Sequence, residues 1–181
     1  MFENDLTLKG NEVFLVGRSG DGTGMGESGL YLRDTRFLSQ FDIRLNDVAL
    51  ENLSTRTDSG RRATIVLTNP ATDAIAAPAH SISLEQRIEI SASASVTLTL
   101  QNFHRETIDL VLAIDLASDF ADMFAVRGWL GDRRGTLEHS RINANSVHLR
   151  YASLDGAIVS TAISLTPTPT SIESSAPGSG R

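Results

Sequence analysis

Two short stretches concentrate the side chains that could do chemistry. Arg33-Asp34-Thr35-Arg36 places two guanidiniums and a carboxylate within four residues, and Asp119-Phe120-Ala121-Asp122-Met123-Phe124-Ala125-Val126-Arg127 sets two carboxylates and a third guanidinium between apolar anchors. Planar guanidiniums meet carboxylates through paired N–H···O bonds, and both groups suit sugar hydroxyls. On an extended strand, Asp34 and Arg36 share one face while Arg33 and Thr35 share the other. The two clusters could then pair as a partly buried network that pins a loop to a sheet, or turn part of their charge toward a neighbouring domain or a sugar. Glycoside hydrolysis needs two carboxyl groups ~5–9.5 Å apart across the scissile bond, and nothing in the sequence sets Asp34 at that distance from Asp119 or Asp122. No catalytic residue is assigned. Trp129, the only tryptophan, follows the second cluster and could stack on a pyranose ring or pack at an interface.

Other chemistry finds less support. His80, His104, His139 and His148 are scattered, and none stands at a metal-site spacing from another His or Asp. Asp119 and Asp122 could share a helix face, but no dense set of oxygen ligands surrounds them. The chain has no cysteine, which excludes a disulfide framework, a thiolate zinc site and a cysteine nucleophile. Neither a metal nor a cofactor is expected. Gly20-Asp21-Gly22-Thr23-Gly24-Met25-Gly26 lacks the Gly-Lys-Ser/Thr ending of a phosphate loop and reads as a flexible loop before the Arg33–Arg36 motif. His104 with Glu106 is the one close acid/base pair, the chemistry a small sugar epimerase would need.

Charge narrows the partners. Sixteen basic against twenty-two acidic residues give a net charge of -6, which argues against nucleic acid or an anionic membrane. The bases are almost all arginine, with Lys9 the only lysine, and they stand beside acids rather than in runs. No apolar run approaches the ~18 residues of a membrane span. Met1-Phe2-Glu3-Asn4-Asp5-Leu6 carries acids where a secretory leader carries bases. The expectation is a soluble, cytoplasmic protein.

The elements that must hold these clusters are strands. Phe41, Ile43 and Leu45 alternate with polar residues, as do Val96, Leu98 and Leu100, and Val147, Leu149 and Tyr151; each run predicts a strand with one wet and one buried face. Val13–Val16, Ile65–Leu67 and Leu110–Leu116 are denser and predict strands covered on both sides. Gly20-Asp21-Gly22, Asn46-Asp47, Asn69-Pro70 and Asp155-Gly156 punctuate the runs as turns. A short helix is expected over Ser118–Val126, capped by Ser118 or Asp119. Many short strands with little helix predict an all-β, antiparallel two-layer β-sandwich over residues 1–165. Thr166–Arg181, rich in Thr, Ser, Pro and Gly, has the composition of a linker.

Three segments go beyond strand filler: Gly29-Leu30-Tyr31-Leu32-Arg33-Asp34-Thr35-Arg36-Phe37-Leu38-Ser39, Leu98-Thr99-Leu100-Gln101-Asn102-Phe103, and Asp119 through Gly128. With Phe14-Leu15-Val16 and Leu84-Glu85-Gln86-Arg87 they resemble, in order, the N-terminal domain of glycogen debranching (amylo-α-1,6-glucosidase) type proteins. The resemblance implies a supersandwich-like β-domain placed before a helical toroid that carries the catalytic carboxylates of a glycoside hydrolase. No toroid follows Gly128 in this sequence. The chain is therefore expected to be a non-catalytic accessory domain that braces the toroid and shapes its substrate cleft. Arg33, Asp34, Arg36, Asp119, Asp122, Arg127 and Trp129 are the candidate interface or sugar-facing cluster, and the toroid and α-glucan are the candidate partners. A stand-alone α-glucan-binding module and a small epimerase-like enzyme are the alternatives.

Overall fold

The computed structural model describes residues 5–18, 26–129, 135–138 and 140–174. A meander opens the chain: β1 (Asp5–Gly10), β2 (Val13–Arg18), β3 (Gly29–Leu32) and β4 (Thr35–Leu38) pair antiparallel in that order. After β5 (Gln40–Leu45) and β6 (Val48–Ala49), a second sheet is built from β7 (Glu51–Asp58), β8 (Arg62–Thr68), β9 (Ile82–Ile90) and β10 (Ala94–Asn102), again in chain order across the sheet. β11 (Leu112–Ala117) returns to pair with β5, giving a third sheet in the order β11-β5-β6. One helical turn, α1 (Met123–Val126), precedes β12 (Thr136–Leu137), β13 (Arg141–Asn143), β14 (Ser146–Ala152) and β15 (Ile158–Ser164). β14 is the spine of this fourth sheet and pairs with the other three strands.

The alternating runs become strands, but β10 does not show the expected buried face, since Val96 and Leu100 are 38% and 41% exposed. Along β9, Ile82, Leu84, Ile88 and Ile90 are buried while Arg87 and Glu89 are exposed, the pattern of a strand with one covered face. Asn46 and Asp47 both take positive φ, 48° and 61°, and close β5 onto β6 with the two-residue turn that matches strand twist. Leu6, Leu8 and Val13 of the first sheet pack on Ala63, Ile88 and Ile90 of the second. Gly10 lies so close to β9 that a Cβ there would stand 2.6 Å from the Ile90 carbonyl oxygen. A second core gathers Leu45, Ile75 and Ile82. Each such Leu or Ile contributes about 1.5–3 kcal/mol by leaving water. No helix among the described residues is long and apolar enough to cross a membrane.

One expectation holds in its coarser part and two need correcting. The all-β antiparallel class holds, but the strands fall into four small sheets, and hydrogen bonding alone does not draw two continuous layers. One break lies at Ser39, where the chain leaves β4 for β5 and its N–H turns to the Ala117 carbonyl. The helix expected over Ser118–Val126 is only Met123–Val126, and Asp122 caps it. Residues 117–122 are instead drawn out along β4, with Ala121 accepting from the Arg36 N–H at 2.9 Å and Thr35 bridging Asp122. Phe120, at φ 49°, is left-handed and interrupts any helix there. Finally, Leu110–Leu116 is not covered on both sides, since Val111 and Leu112 are 68% and 41% exposed. The Gly20-Asp21-Gly22 turn lies outside the described residues.

Candidate functional site

Arg33-Asp34-Thr35-Arg36 is not one continuous strand. Arg33 and Asp34 form the turn of the β3–β4 hairpin, Arg33 with φ 54°, so the face-sharing expected of Asp34 with Arg36 does not apply. Arg33 leaves the cluster and meets Glu12 at 3.2 Å in solvent. Asp34 contributes its backbone carbonyl, which accepts from the Met123 N–H at 2.8 Å.

Arg36 is the centre. Opposite Tyr31 on β3, it is separated from Leu38 by a register shift in the β3–β4 pairing. Without that bulge Arg36 and Leu38 would share a face; with it, Leu38 joins Leu30 on one side of the sheet and Arg36 joins Tyr31 on the other. Its Nε and Nη2 donate to Oδ1 and Oδ2 of Asp119 at 3.1 and 2.5 Å. Its Nη1 donates to the carbonyls of Gly26 and Ser28 at 2.8 and 3.1 Å. One guanidinium thus ties β4, the chain before β3 and the chain after β11. Gly29 makes room for it: its φ is 150°, and a Cβ would stand 2.6 Å from the Arg36 Cδ and the Leu38 carbonyl oxygen.

Burial works against the charge of Arg36, but the hydrogen bonds and charge of Asp119 more than offset it, and its pKa lies above the ordinary value. Burial likewise pushes the Tyr31 phenol up, with the positive charge of Arg36 pulling the other way. The phenol donates to the Glu27 carbonyl at 2.7 Å. Asp119 also accepts from the Ala121 N–H at 3.3 Å. A carboxylate held by this many donors anchors the chain around it.

From this anchor hangs an aromatic platform. Buried Phe120 meets Phe37 edge-on at 5.6 Å and stacks on Tyr151 of β14 at 5.4 Å. The Phe37 carbonyl accepts from the hydroxyls of Ser118 and Thr161, which ties β4 to β15. Asp122 accepts from the Phe124 N–H at 2.7 Å and so caps α1. At the other end the Gly128 N–H reaches the Ala125 carbonyl and the Trp129 N–H reaches the Phe124 carbonyl, with Gly128 at φ 75°. This left-handed closure brings the residue beyond the glycine onto the last helical turn. Trp129 accordingly stacks on Phe124, centroids 5.9 Å apart and planes at 30°. The two rings stay open to solvent, Trp129 at 70% and Phe124 at 47%. Arg127 meets Glu27 at 3.6 Å beside them.

Of the seven residues singled out in the sequence, Arg36, Asp119, Asp122, Arg127 and Trp129 meet at this junction, joined by the backbone of Asp34, while the Arg33 side chain stands apart. Glu27, Tyr31 and Phe124 were missed. Phe124 was legible as an apolar anchor but not as an exposed ring, because the left-handed step at Gly128 sets its exposure. His104 and Glu106 face each other at 3.9 Å across a turn closed by Asn102. Among the described residues no three His, Asp or Glu side chains gather as metal ligands.

No curated protein matches the sequence. A family model for the N-terminal domain of some glycogen debranching enzymes matches residues 8–179, and its span takes in the β3–β4 hairpin, the Arg36–Asp119 pair and the Phe124–Trp129 platform. The chain belongs to this family of N-terminal domains of glycogen debranching enzymes.

Proposed function

We propose that the chain is a non-catalytic accessory domain that braces a helical-toroid catalytic domain of a cytoplasmic α-glucan-debranching glycoside hydrolase and forms one wall of its substrate cleft. The observation that carries this is the Phe124–Trp129 pair, two exposed rings held on a backbone that Arg36 and Asp119 fix from three sides. Apolar rings held out in water on a fixed support suit a surface that another domain covers. The first and third sheets act as one layer and the second as the other, giving the two-layer sandwich; the shared core of Leu8, Val13, Ile88 and Ile90 supports that pairing. Residues 166–181 serve as the connection to the next domain.

Intact mass of the native gene product and hydrogen exchange test the reading together. A mass several times 19.5 kDa, with amides 123–129 exchanging more slowly in the intact protein than in this chain, is the expected result. A native product of 19.5 kDa, or equal exchange in both, overturns it.

Exposure of Trp129 favours one second reading, in which the indole stacks on a pyranose ring of α-glucan. Quenching of Trp129 fluorescence by maltooligosaccharide is then expected, and an unchanged spectrum refutes it.

A further inference from the structure

The second sheet ends differently on its two sides. β7, at one edge, carries Glu51, Arg56 and Asp58 and a register shift between Asn52 and Ser54, features that blunt an edge against further pairing. β10, at the other, pairs with β9 through nine consecutive residues without a break, and among the described residues no strand pairs with its outer side. From Ser91 to Phe103 no residue is charged and none is proline. The nearest charges, on β9, are already matched: Arg87 meets Glu85 at 2.7 Å, and Glu89 meets Arg62 at 3.3 Å. A long unguarded edge is a row of backbone N–H and C=O groups ready to take another strand.

The composition of β10 says which strand. Val96, Leu98 and Leu100 extend the face of Leu84 and Ile88 past the covered part of the sheet, while Ser95, Thr97, Thr99 and Gln101 line the other face. This pattern is complementary to itself. Set antiparallel to its own copy about Leu98, β10 aligns all nine residues. Leu98 then meets Leu98, Val96 meets Leu100 and Thr97 meets Thr99, like with like on each face. A slip of one residue would send the copy's apolar row to the polar face, so the pairing sets its own register. Charge points the same way. Each copy carries a net charge of -6, so two copies repel over most approaches, and an uncharged strip is where they can meet. We propose that β10 is the pairing edge for a second copy of this chain, joining two second sheets into one across a two-fold axis. The strip is about 30 Å long and about 10 Å deep, small beside the ~800 Å² per partner of a standard stable interface. Main-chain bonds therefore carry the contact, and pairing rises with concentration. The inference does not rest on the bracing reading.

Sedimentation equilibrium of the full chain, beside Thr97→Lys/Thr99→Lys and Thr97→Glu/Thr99→Glu, tests it. Both threonines are exposed, so both variants should unfold at the parent's temperature. The parent's mass should climb from 19.5 kDa toward twice that value as concentration rises. Each variant opposes like charges at two cross-strand pairs and should dimerise about tenfold more weakly. An equimolar mixture of the two opposes lysine to glutamate and should recover the parent's dimer. If either variant fails to fold, hydrogen exchange of the parent decides the matter. Amides of β10 should slow with concentration while those of β7 do not, and equal behaviour of the two edges refutes the pairing. A parent that stays at 19.5 kDa at every concentration overturns the proposal, and protection of β10 only in a longer native product would then give the edge to another segment. Dimers of parental strength in both variants overturn it too, and their loss in Trp129→Ala would move the contact to the Phe124–Trp129 platform.

Discussion

Replacing Asp119 by alanine should cost this domain about 3 kcal/mol, because it strands a guanidinium that is nearly out of water. The side chains of Arg36 and Asp119 are 12% and 26% exposed. Removing one member of a buried pair costs about 3–5 kcal/mol, and the partial exposure of Asp119 places this pair at the lower end. Arg36 keeps its bonds to Gly26 and Ser28, which lessens the loss further but does not restore two charge-assisted bonds. For a domain of this length each kcal/mol moves the midpoint by about 2–4 °C, so Tm should fall about 6–12 °C. Arg36→Met removes the buried charge while its carbon chain keeps the packing against Gly29. The double variant should therefore be more stable than the two losses summed, with a coupling of about 1–3 kcal/mol. Urea unfolding followed by circular dichroism measures all four corners, and equal slopes confirm that only the folded state changed. Because Trp129 is the only tryptophan, its emission reports in parallel whether α1 comes loose first. A loss below about 0.5 kcal/mol for Asp119→Ala, a value typical of exposed pairs, would refute the claim that this pair organises the junction.

Gly29→Ala should destabilise by about 3 kcal/mol, the sum of a backbone strain and an overpacking cost of similar size, since its Cβ would meet both Arg36 and the Leu38 carbonyl; a Tm equal to the parent's contradicts this. Stability should fall as pH climbs past the ordinary tyrosine value of 10.0. The Tyr31 phenol has a raised folded-state pKa, so its contribution is fully present below the unfolded value and is lost as pH rises through the folded one; Tyr31→Phe should flatten that slope in urea titrations at pH 9 to 11, and an unchanged slope removes Tyr31 as the cause. Phe120→Ala should cost about 3–5 kcal/mol and loosen the fourth sheet, so amides of β14 and β15 should exchange faster than those of β8 and β9. Uniform acceleration would show that Phe120 is not the link between them.

How far the sequence could be read depends on how local each cause is. Strand alternation is local, so β5, β10 and β14 emerge where Phe41–Leu45, Val96–Leu100 and Val147–Tyr151 predict them. The Asn46-Asp47 turn is equally local, since those two residues tolerate the left-handed backbone that the hairpin needs. The β3–β4 turn was missed because it carries no glycine or proline. Arg33 takes φ 54°, a position that only the pairing of β3 with β4 imposes. The helix was overextended for a similar reason. Ser118 and Asp119 are good capping residues by type, but Ser118 bonds the Phe37 carbonyl and Asp119 bonds Arg36, both from strands some eighty positions earlier. The arginine–carboxylate pairing itself was legible as a type match, but which of the arginines would take part was not. The bulge beside Leu30 and Tyr31 decides that by turning Arg36 toward Asp119, and a bulge leaves no mark in the pattern of residue types.

The same junction gives a charged cluster a part in positioning backbone. At this junction Asp119 meets a guanidinium with both oxygens, and Asp122 caps a helix with one of its own. Those bonds fix where the two carboxylates lie. What they fix in turn is backbone: the chain from Ala117 to Met123 against β4, and through α1 the pose of Phe124 and Trp129. Holding two rings in place beforehand lowers the ordering cost of whatever lands on them. A charged cluster that spends its bonds this way shapes a surface for other groups to use. Substituting Arg36 or Asp119 should therefore weaken contact at Trp129 without any residue at the contact having changed.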